Sequence, residues 1–331
     1  MHKASYNNHH YLMLLLCLMM CFSPAHRALS LDVRRRPNLE LGKVWALFKW
    51  QFIVLLLIVY TYAAIAKMYP DWINAVLTEK WLSYKTSMPI IGPLYAWSYS
   101  KYIVAWGGIL FDLLIIPAML FKRTRTFAFV LGIFFHLANS ITFEIGTFPY
   151  MMIASAVFFF PDKVLRSRLK RYQPADAVQH QTLQAGGILT SIFVMFFVIQ
   201  LILPLRHHLF KGDVVWNEEG HRLSWRMMLR AKSGSIQFNV VLPDGTKVIH
   251  RASDDLTLDQ YRTMTSSPDM IWQYCQYVKK KYGPGIEIYA INEVSLNFRP
   301  TQTFVDPEYD MAKATWKPFK HSEWILDGPT D

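Results

Sequence analysis

Four stretches of this chain are too apolar to be left in water: residues 44–66 (VWALFKWQFIVLLLIVYTYAAIA), 102–121, 127–160 and 187–205. Lipid offers a backbone no hydrogen-bond partners, so stretches of this length cross a bilayer as helices that satisfy their own amides. That fixes the class before any composition is consulted. The chain's 331 residues are 52% hydrophobic with a mean hydropathy of +0.15, which fits it. A net charge of +11 raises nucleic acid as a partner, but the bases sit beside the apolar runs, as cytoplasmic flanks of membrane helices do. No nucleic-acid role is expected. Cys17, Cys21 and Cys275 are too few and too oddly numbered for a disulfide framework, and no metal site is expected.

The charges also set the topology. Basic flanks lie at 27–43 (Arg27, Arg34, Arg35, Arg36, Lys43), at 122–125 and at 161–171. With all three in the cytoplasm, 44–66 runs outward, 67–101 lies outside, 102–121 returns, and 127–160 leaves and comes back as a helix pair or re-entrant hairpin. The span 187–205 then runs outward and places 206–331 on the lumenal or outer face. The segment 67–101 is rich in Trp and Tyr and suits the headgroup level. A shorter apolar run, 11–23, followed by SPAHRA, reads as a signal peptide cleaved near Ala28 or as a short membrane helix. The tail changes character. SIQFNVVLPDGTKVIH alternates around a turn, SPDMIWQYCQYVKKKYG reads as a helix closed by lysines and glycine, and IEIYAINEVSLNF alternates again. The expected fold is an α-helical multi-pass membrane domain, 1–205, followed by a small α+β domain, 206–331.

Polar residues inside apolar helices are costly, so each is a candidate. Asp112, in GGILFDLLIIP, reads as a structural intramembrane partner for a buried base or backbone group, and Lys49 as a side chain reaching the cytoplasmic face. His136 and Asn139 stand three apart on one helix face. Imidazole suits proton traffic near neutral pH, though a histidine in such a place can equally be a hydrogen-bonded packing residue. Glu144, Gly146 and Pro149 then break the helix, which membrane proteins tolerate where backbone lines a cavity. His136 and Asn139 are therefore expected to face a pocket. Phe143, Phe148 and Met151 would form an apolar wall for a flat hydrophobic ligand such as a quinone, or ordinary core. His207–His208 reads as an interfacial pair. GxGxxG, P-loop, HExxH, GxSxG and CxxC motifs are all absent from the sequence.

FHLANSITFEIGTFPYMMIASAVFFFP, from Phe135, resembles the vitamin K-dependent gamma-glutamyl carboxylases, animal members of the wider membrane family whose shared region is the HTTM domain. NNHHYL (7–12), QFIVLLLIVYTYAAIAKMYPDW (51–72) and GGILFDL (107–113) are similar to successive family segments. So are SWRMML (224–229), LPDG (242–245), FVDPEYDM (304–311) and ATWKPFKHSEW (314–324) in the tail. The likeness runs in order over nearly the whole chain. It implies that 11–23 is an internal segment rather than a signal peptide, and that the chain begins late, as a fragment, a short gene model or a reduced member.

The resemblance implies a chemistry. Reduced vitamin K (the hydroquinone) reacts with oxygen. The strong base so formed removes a γ-proton from a glutamate of a protein substrate, the carbanion adds carbon dioxide, and the quinone leaves as an epoxide. A quinone-epoxide reductase is then required to recycle it. The family's catalytic histidine is placed at His136, where it would assist the carbanion and carbon dioxide step. The family's catalytic lysine belongs to the linker that here is 161–186, where Lys163 and Lys170 are the candidates. The alternative is a family member that keeps the scaffold as a non-catalytic membrane protein. The implied location is the endoplasmic reticulum membrane in a eukaryote, or the cytoplasmic membrane in a bacterium.

Overall fold

The computed structural model describes residues 6–28, 30–39, 43–143, 145–161, 164, 182–183 and 186–328. The first part is a helical bundle. Its helices are α1 (Asn8–Phe22), α2 (Leu47–Ala66), α3 (Ser100–Leu120), α4 (Arg125–Phe143), α5 (Phe148–Ser155, prolonged by a 3-10 turn, Ala156–Phe159) and α6 (Gly187–Ile202). Among the described residues, α2, α3, α4 and α6 with its 3-10 extension to Leu209 are long and apolar enough to cross a membrane. The extension begins where Pro204 removes a backbone donor. Helix α1, the run that also reads as a signal peptide, buries Leu12, Leu15 and Met19 in the bundle core beside Phe52, Leu55 and Leu56 of α2.

The apolar stretch 127–160 is two helices, with Gly146 at φ +64° in the turn between them. That backbone conformation costs any residue with a Cβ about 1–2 kcal/mol. The helices are unequal: α5 and its extension run from Phe148 to Phe159, against Arg125 to Phe143 for α4. At a 1.5 Å rise the return limb is roughly 10 Å shorter than the outgoing one. Two charged side chains within the bundle have partners among the described residues. Asp112 of α3 takes Lys67, just past the end of α2, whose ammonium also lies 5.6 Å from the Trp72 ring. Lys49 donates to the carbonyl of Phe160 at 3.0 Å and so closes the end of the α5 limb.

The segment between α2 and α3 is a set of short helices, Pro70–Ile73, Val76–Ser83 and Gly92–Ala96. It leaves Tyr84, Ile90, Leu94, Trp97 and Tyr99 exposed, an apolar and aromatic surface suited to a membrane interface. Trp72 faces inward and its indole donates to the carbonyl of Ala105.

The second part is a four-stranded antiparallel sheet covered by a helix. Strands β1 (Lys232–Val241), β2 (Lys247–His250), β3 (Glu287–Leu296) and β4 (Gln302–Thr303) stand in the order β2-β1-β3-β4. Alternation decides the inward face: Ile236, Phe238 and Val240 of β1, and Ile288, Ala290 and Val294 of β3. Helix α7 (Pro268–Tyr282) brings Ile271, Tyr274, Cys275 and Val278 onto them. Each such side chain contributes about 1.5–3 kcal/mol by leaving water. Pro268 opens α7 and Gly283, at φ +93°, closes it after three lysines.

The two parts meet along the loop 221–231, HRLSWRMMLRA. Trp225 is fully buried in the bundle's core and stacks on Tyr11 at 5.0 Å. Asn8 donates to the carbonyl of Arg226, Tyr6 Oη accepts from the amide of Leu223, and Tyr69 donates to the carbonyl of Leu229. A second clasp lies beside it. Asp71 accepts Arg299 through both carboxylate oxygens (2.5 and 2.8 Å) and Asn297 at 2.5 Å. Burial works to raise the Asp71 carboxyl, but the hydrogen bonds from Arg299 and Asn297 outweigh it and hold the carboxyl below its ordinary range.

Arg299→Ala is expected to lower the thermal stability of detergent-solubilised protein by about 2 kcal/mol, the scale of charged hydrogen bonds in a half-buried site. A carboxyl depressed on folding stabilises above its unfolded pKa and loses that contribution as pH falls through the folded one. The Arg299→Ala deficit is therefore full at neutral pH and shrinks on acidification below about 3.9; a deficit unchanged at low pH would remove Asp71 from the clasp.

Candidate functional site

Helix α4 presents Phe129, Gly132, Ile133 and His136 at the spacing of one helical stripe, and all four line a cavity. Opposite them stand Leu56 and Tyr60 of α2, Ile115, Ile116 and Met119 of α3, and Met152 to Phe159 of the α5 limb. The cavity measures about 30 Å³. His136 is 5% exposed, and its Nε2 is hydrogen-bonded to Tyr60 Oη at 2.9 Å. The remaining neighbours of its ring are aromatic edges and faces, with Phe111 at 5.7 Å and Phe148 at 6.2 Å, both T-shaped.

A second and larger cavity, about 370 Å³, lies on the other side of Phe148. It is lined by Asn7, His9, His10 and Met13 from the start of α1, by Ile145, Gly146 and Thr147 of the turn, and by Phe148 and Met151 of α5. Asn7 caps α1 through the amide of His9 at 2.8 Å, which fixes the direction in which the two histidines leave the helix. The His9 ring stacks on Phe148 with centroids 3.9 Å apart. Phe148 therefore has one imidazole on its face and another at its edge. The chamber thus lies between the start of α1 and the turn that joins α4 to α5.

The placements of the expected residues divide. Phe148 and Met151 line the larger cavity, and Phe148 also touches His136. Asn139 is half-buried and lines neither cavity, and Phe143 packs edge-on to Trp81 at 5.8 Å, in the segment between α2 and α3. Both lie beyond the level at which α5 begins, so the stripe that carries His136 has no α5 partner there. Asp112 belongs to the ion pair with Lys67. Lys163, Lys170 and Glu144 lie outside the described residues.

Sequence reasoning attached no role to His9 and His10. The signal was present in NNHHYL, an asparagine cap followed by paired histidines at a helix start. It also missed Lys232. Burial pushes the Lys232 ammonium down to about 8 despite the nearby Glu218, the profile of a tuned base. Geometry assigns it to structure instead. It donates to the carbonyls of Trp216 (2.5 Å) and Ser266 (2.9 Å), sits 3.5 Å from Glu218 and lies over the Phe304 ring at 3.9 Å.

Two family models match the chain: the HTTM domain over residues 1–163, and the lumenal domain of vitamin K-dependent gamma-carboxylase over residues 186–331. The first covers the helices through α5 and both cavities. The second covers α6 and the sheet domain. No solved structure matches the chain.

Tyr60→Phe removes the partner of a buried imidazole and nothing else of comparable size. It is expected to destabilise the purified protein by about 1–3 kcal/mol in thermal unfolding. Tyr60→Phe in a His136→Phe background should cost far less, because the polar atom left unpaired is gone; equal costs in the two backgrounds would show that the bond contributes nothing.

Proposed function

The chain belongs to the vitamin K-dependent gamma-glutamyl carboxylase family, and on that premise we propose that it carboxylates glutamate side chains of a protein substrate, coupled to epoxidation of reduced vitamin K. The observation that carries the reading is the larger cavity. Its volume of about 370 Å³ lies within the range of small-molecule sites, and a stackable ring, two thioethers and two imidazoles line it. These residues fit a fused aromatic ring system. Phe148, Met13 and Met151 would hold the reduced vitamin by its apolar surface, and Asn7 and Thr147 offer polar groups at the wall. Once oxidised by oxygen there, the vitamin supplies the strong base that takes the γ-proton of glutamate.

The chain's own part is to keep that base from water and to move protons. Phe148, Met13 and Met151 give the chamber an apolar wall, which suits chemistry that water would quench. His9 and His10 take up or release a proton at an imidazole nitrogen on the cavity wall. His136 is held by Tyr60 on the wall of the smaller cavity, edge to face with Phe148, and on this reading it assists the carbon dioxide step. The lysine of the family remains assigned to Lys163 or Lys170. The sheet domain seats the protein substrate on the lumenal or outer side of the membrane, and a quinone-epoxide reductase in the same bilayer returns the vitamin to use.

Membranes holding the chain, supplied with vitamin K hydroquinone, oxygen, labelled bicarbonate and a glutamate peptide, are expected to form epoxide and fix label. Replacing His136 or His9 by alanine should lower fixed label by about 10²–10⁴, the range of a positioned acid or base. Folded protein that yields neither product leaves the scaffold without the activity and overturns the reading.

A further inference from the structure

We propose that Cys21, near the end of α1, is a site of S-acylation, where a long-chain fatty acyl group is attached and lies in the lipid beside the bundle. The inference rests on the fold and on the topology set by the basic flanks, and it is independent of the carboxylase reading.

Helix α1 turns Leu12, Leu15 and Met19 into the core and leaves its opposite side open. On that side His10, Leu14, Cys17 and Cys21 follow one another along a single helical stripe, and all four are exposed. Met13, Leu18, Met20 and Phe22, exposed beside them, make the surface apolar. Such a face meets lipid. The remaining cysteine, Cys275, is fully buried under the sheet. The exposed pair is not a metal site, since no group of three or more His, Cys, Asp or Glu side chains that could hold an ion stands among the described residues.

The neighbouring helix fixes the depth of Cys21. Ser23, just past the end of α1, accepts from Gln51 Nε2 at 2.6 Å and donates to the carbonyl of Met19 at 2.8 Å. Gln51 follows Lys49 and the exposed Trp50, a basic and an aromatic side chain of the kind that sits at a membrane interface. Cys21 lies about 3 Å along the helix axis from Ser23, and Cys17 about 9 Å. The Cys21 thiol is therefore at the headgroup boundary, open to a donor from the water side, while Cys17 stands a turn deeper in the hydrocarbon. Arg27 follows, then Arg34, Arg35 and Arg36, the last three exposed on and just past the short helix Leu31–Arg35. A cysteine at the foot of a membrane helix, next to a basic arm that anionic headgroups attract, is the setting in which S-acylation occurs.

The length of α1 gives the acyl chain a task. Its 15 residues rise about 22 Å, short of a hydrocarbon core of about 30 Å. A helix that falls short thins the bilayer or draws its polar ends inward. An acyl chain on Cys21 holds that end at the interface, and one chain together with a basic patch makes a stable anchor. The transfer balances with an acyl thioester of coenzyme A as donor. Cys21 Sγ attacks the acyl carbonyl carbon, the C–S bond to the coenzyme breaks, and the coenzyme thiolate leaves and takes up the proton of the cysteine thiol. One thioester replaces another, and nothing is oxidised or reduced.

The test feeds alkyne-tagged palmitate to cells that express the full chain and reads the tag on the purified protein after coupling to a fluorophore. Native protein is expected to carry tag that neutral hydroxylamine releases, as a thioester requires. Cys21→Ser should lose nearly all of it and Cys17→Ser should keep most of it. The double variant should carry none although Cys275 remains. Both positions face outward, so thermal unfolding of the variants should match that of native protein. Once hydroxylamine has freed the thiol, a membrane-permeant maleimide should label Cys21 in intact membranes. Native protein without hydroxylamine-sensitive tag overturns the proposal, and so does tag that persists in Cys21→Ser. A Cys21 thiol that reacts only after denaturation also overturns it and makes this face of α1 a contact with another helix. None of these readouts draws on carboxylase activity.

Discussion

An imidazole in the middle of apolar helices is tolerated only if its polar atoms are answered, and the hydrogen bond between His136 and Tyr60 is that answer. It joins α4 to α2 on the wall of the smaller cavity. Because the bond is internal, neither group draws water into the bundle. The same logic governs Asp112 with Lys67, and Lys49 with the carbonyl of Phe160. Each pair lets a polar side chain remain where a helix needs to pack against another helix.

The loop 221–231 performs the matching task at the outer end. Leu223, Trp225 and Met228 all adopt left-handed backbone conformations, at φ of 61°, 58° and 52°. Residues of this kind cost about 1–3 kcal/mol each and persist only where their surroundings over-determine them. Here the surroundings do so. Tyr6, Asn8 and Tyr11 grip the loop from α1, and Tyr69 grips it from the segment after α2. The strain is used to aim Trp225 out of the sheet domain and into the bundle's core. The start of α1 is therefore held by the loop that leads into the sheet domain, and with it His9 and His10. A defect in the sheet domain should be felt at the larger cavity although no strand reaches it.

Much of this was legible in the residues. The apolar runs gave the helices, because lipid leaves a backbone no other arrangement, and alternation around Leu242–Gly245 gave the strands of the outer domain. The break after His136 was legible too: Gly146 takes the left-handed turn and Pro149 sits in the first turn of α5. What periodicity does not carry is the neighbour across the gap. His136 and Asn139 share a face of α4, but α5 begins at the level of the first, and so Asn139 has no cavity to look into. Phe143 turned out to pack on Trp81 for the same reason. His9 is the reverse case. It is far from Phe148 in sequence, and its stacking depends on the length of α5, which no local pattern encodes.

That length is also what separates the two compartments. Had the return limb matched α4, Phe148 would stand a turn or more higher and the α1 histidines would meet helix instead of space. Phe148 lines the chamber of about 370 Å³ and meets, edge to face, the His136 ring that lines the pocket of about 30 Å³. The aromatic ring between two histidines thus has an imidazole of each cavity against it, His9 from the wall of the larger and His136 from the wall of the smaller.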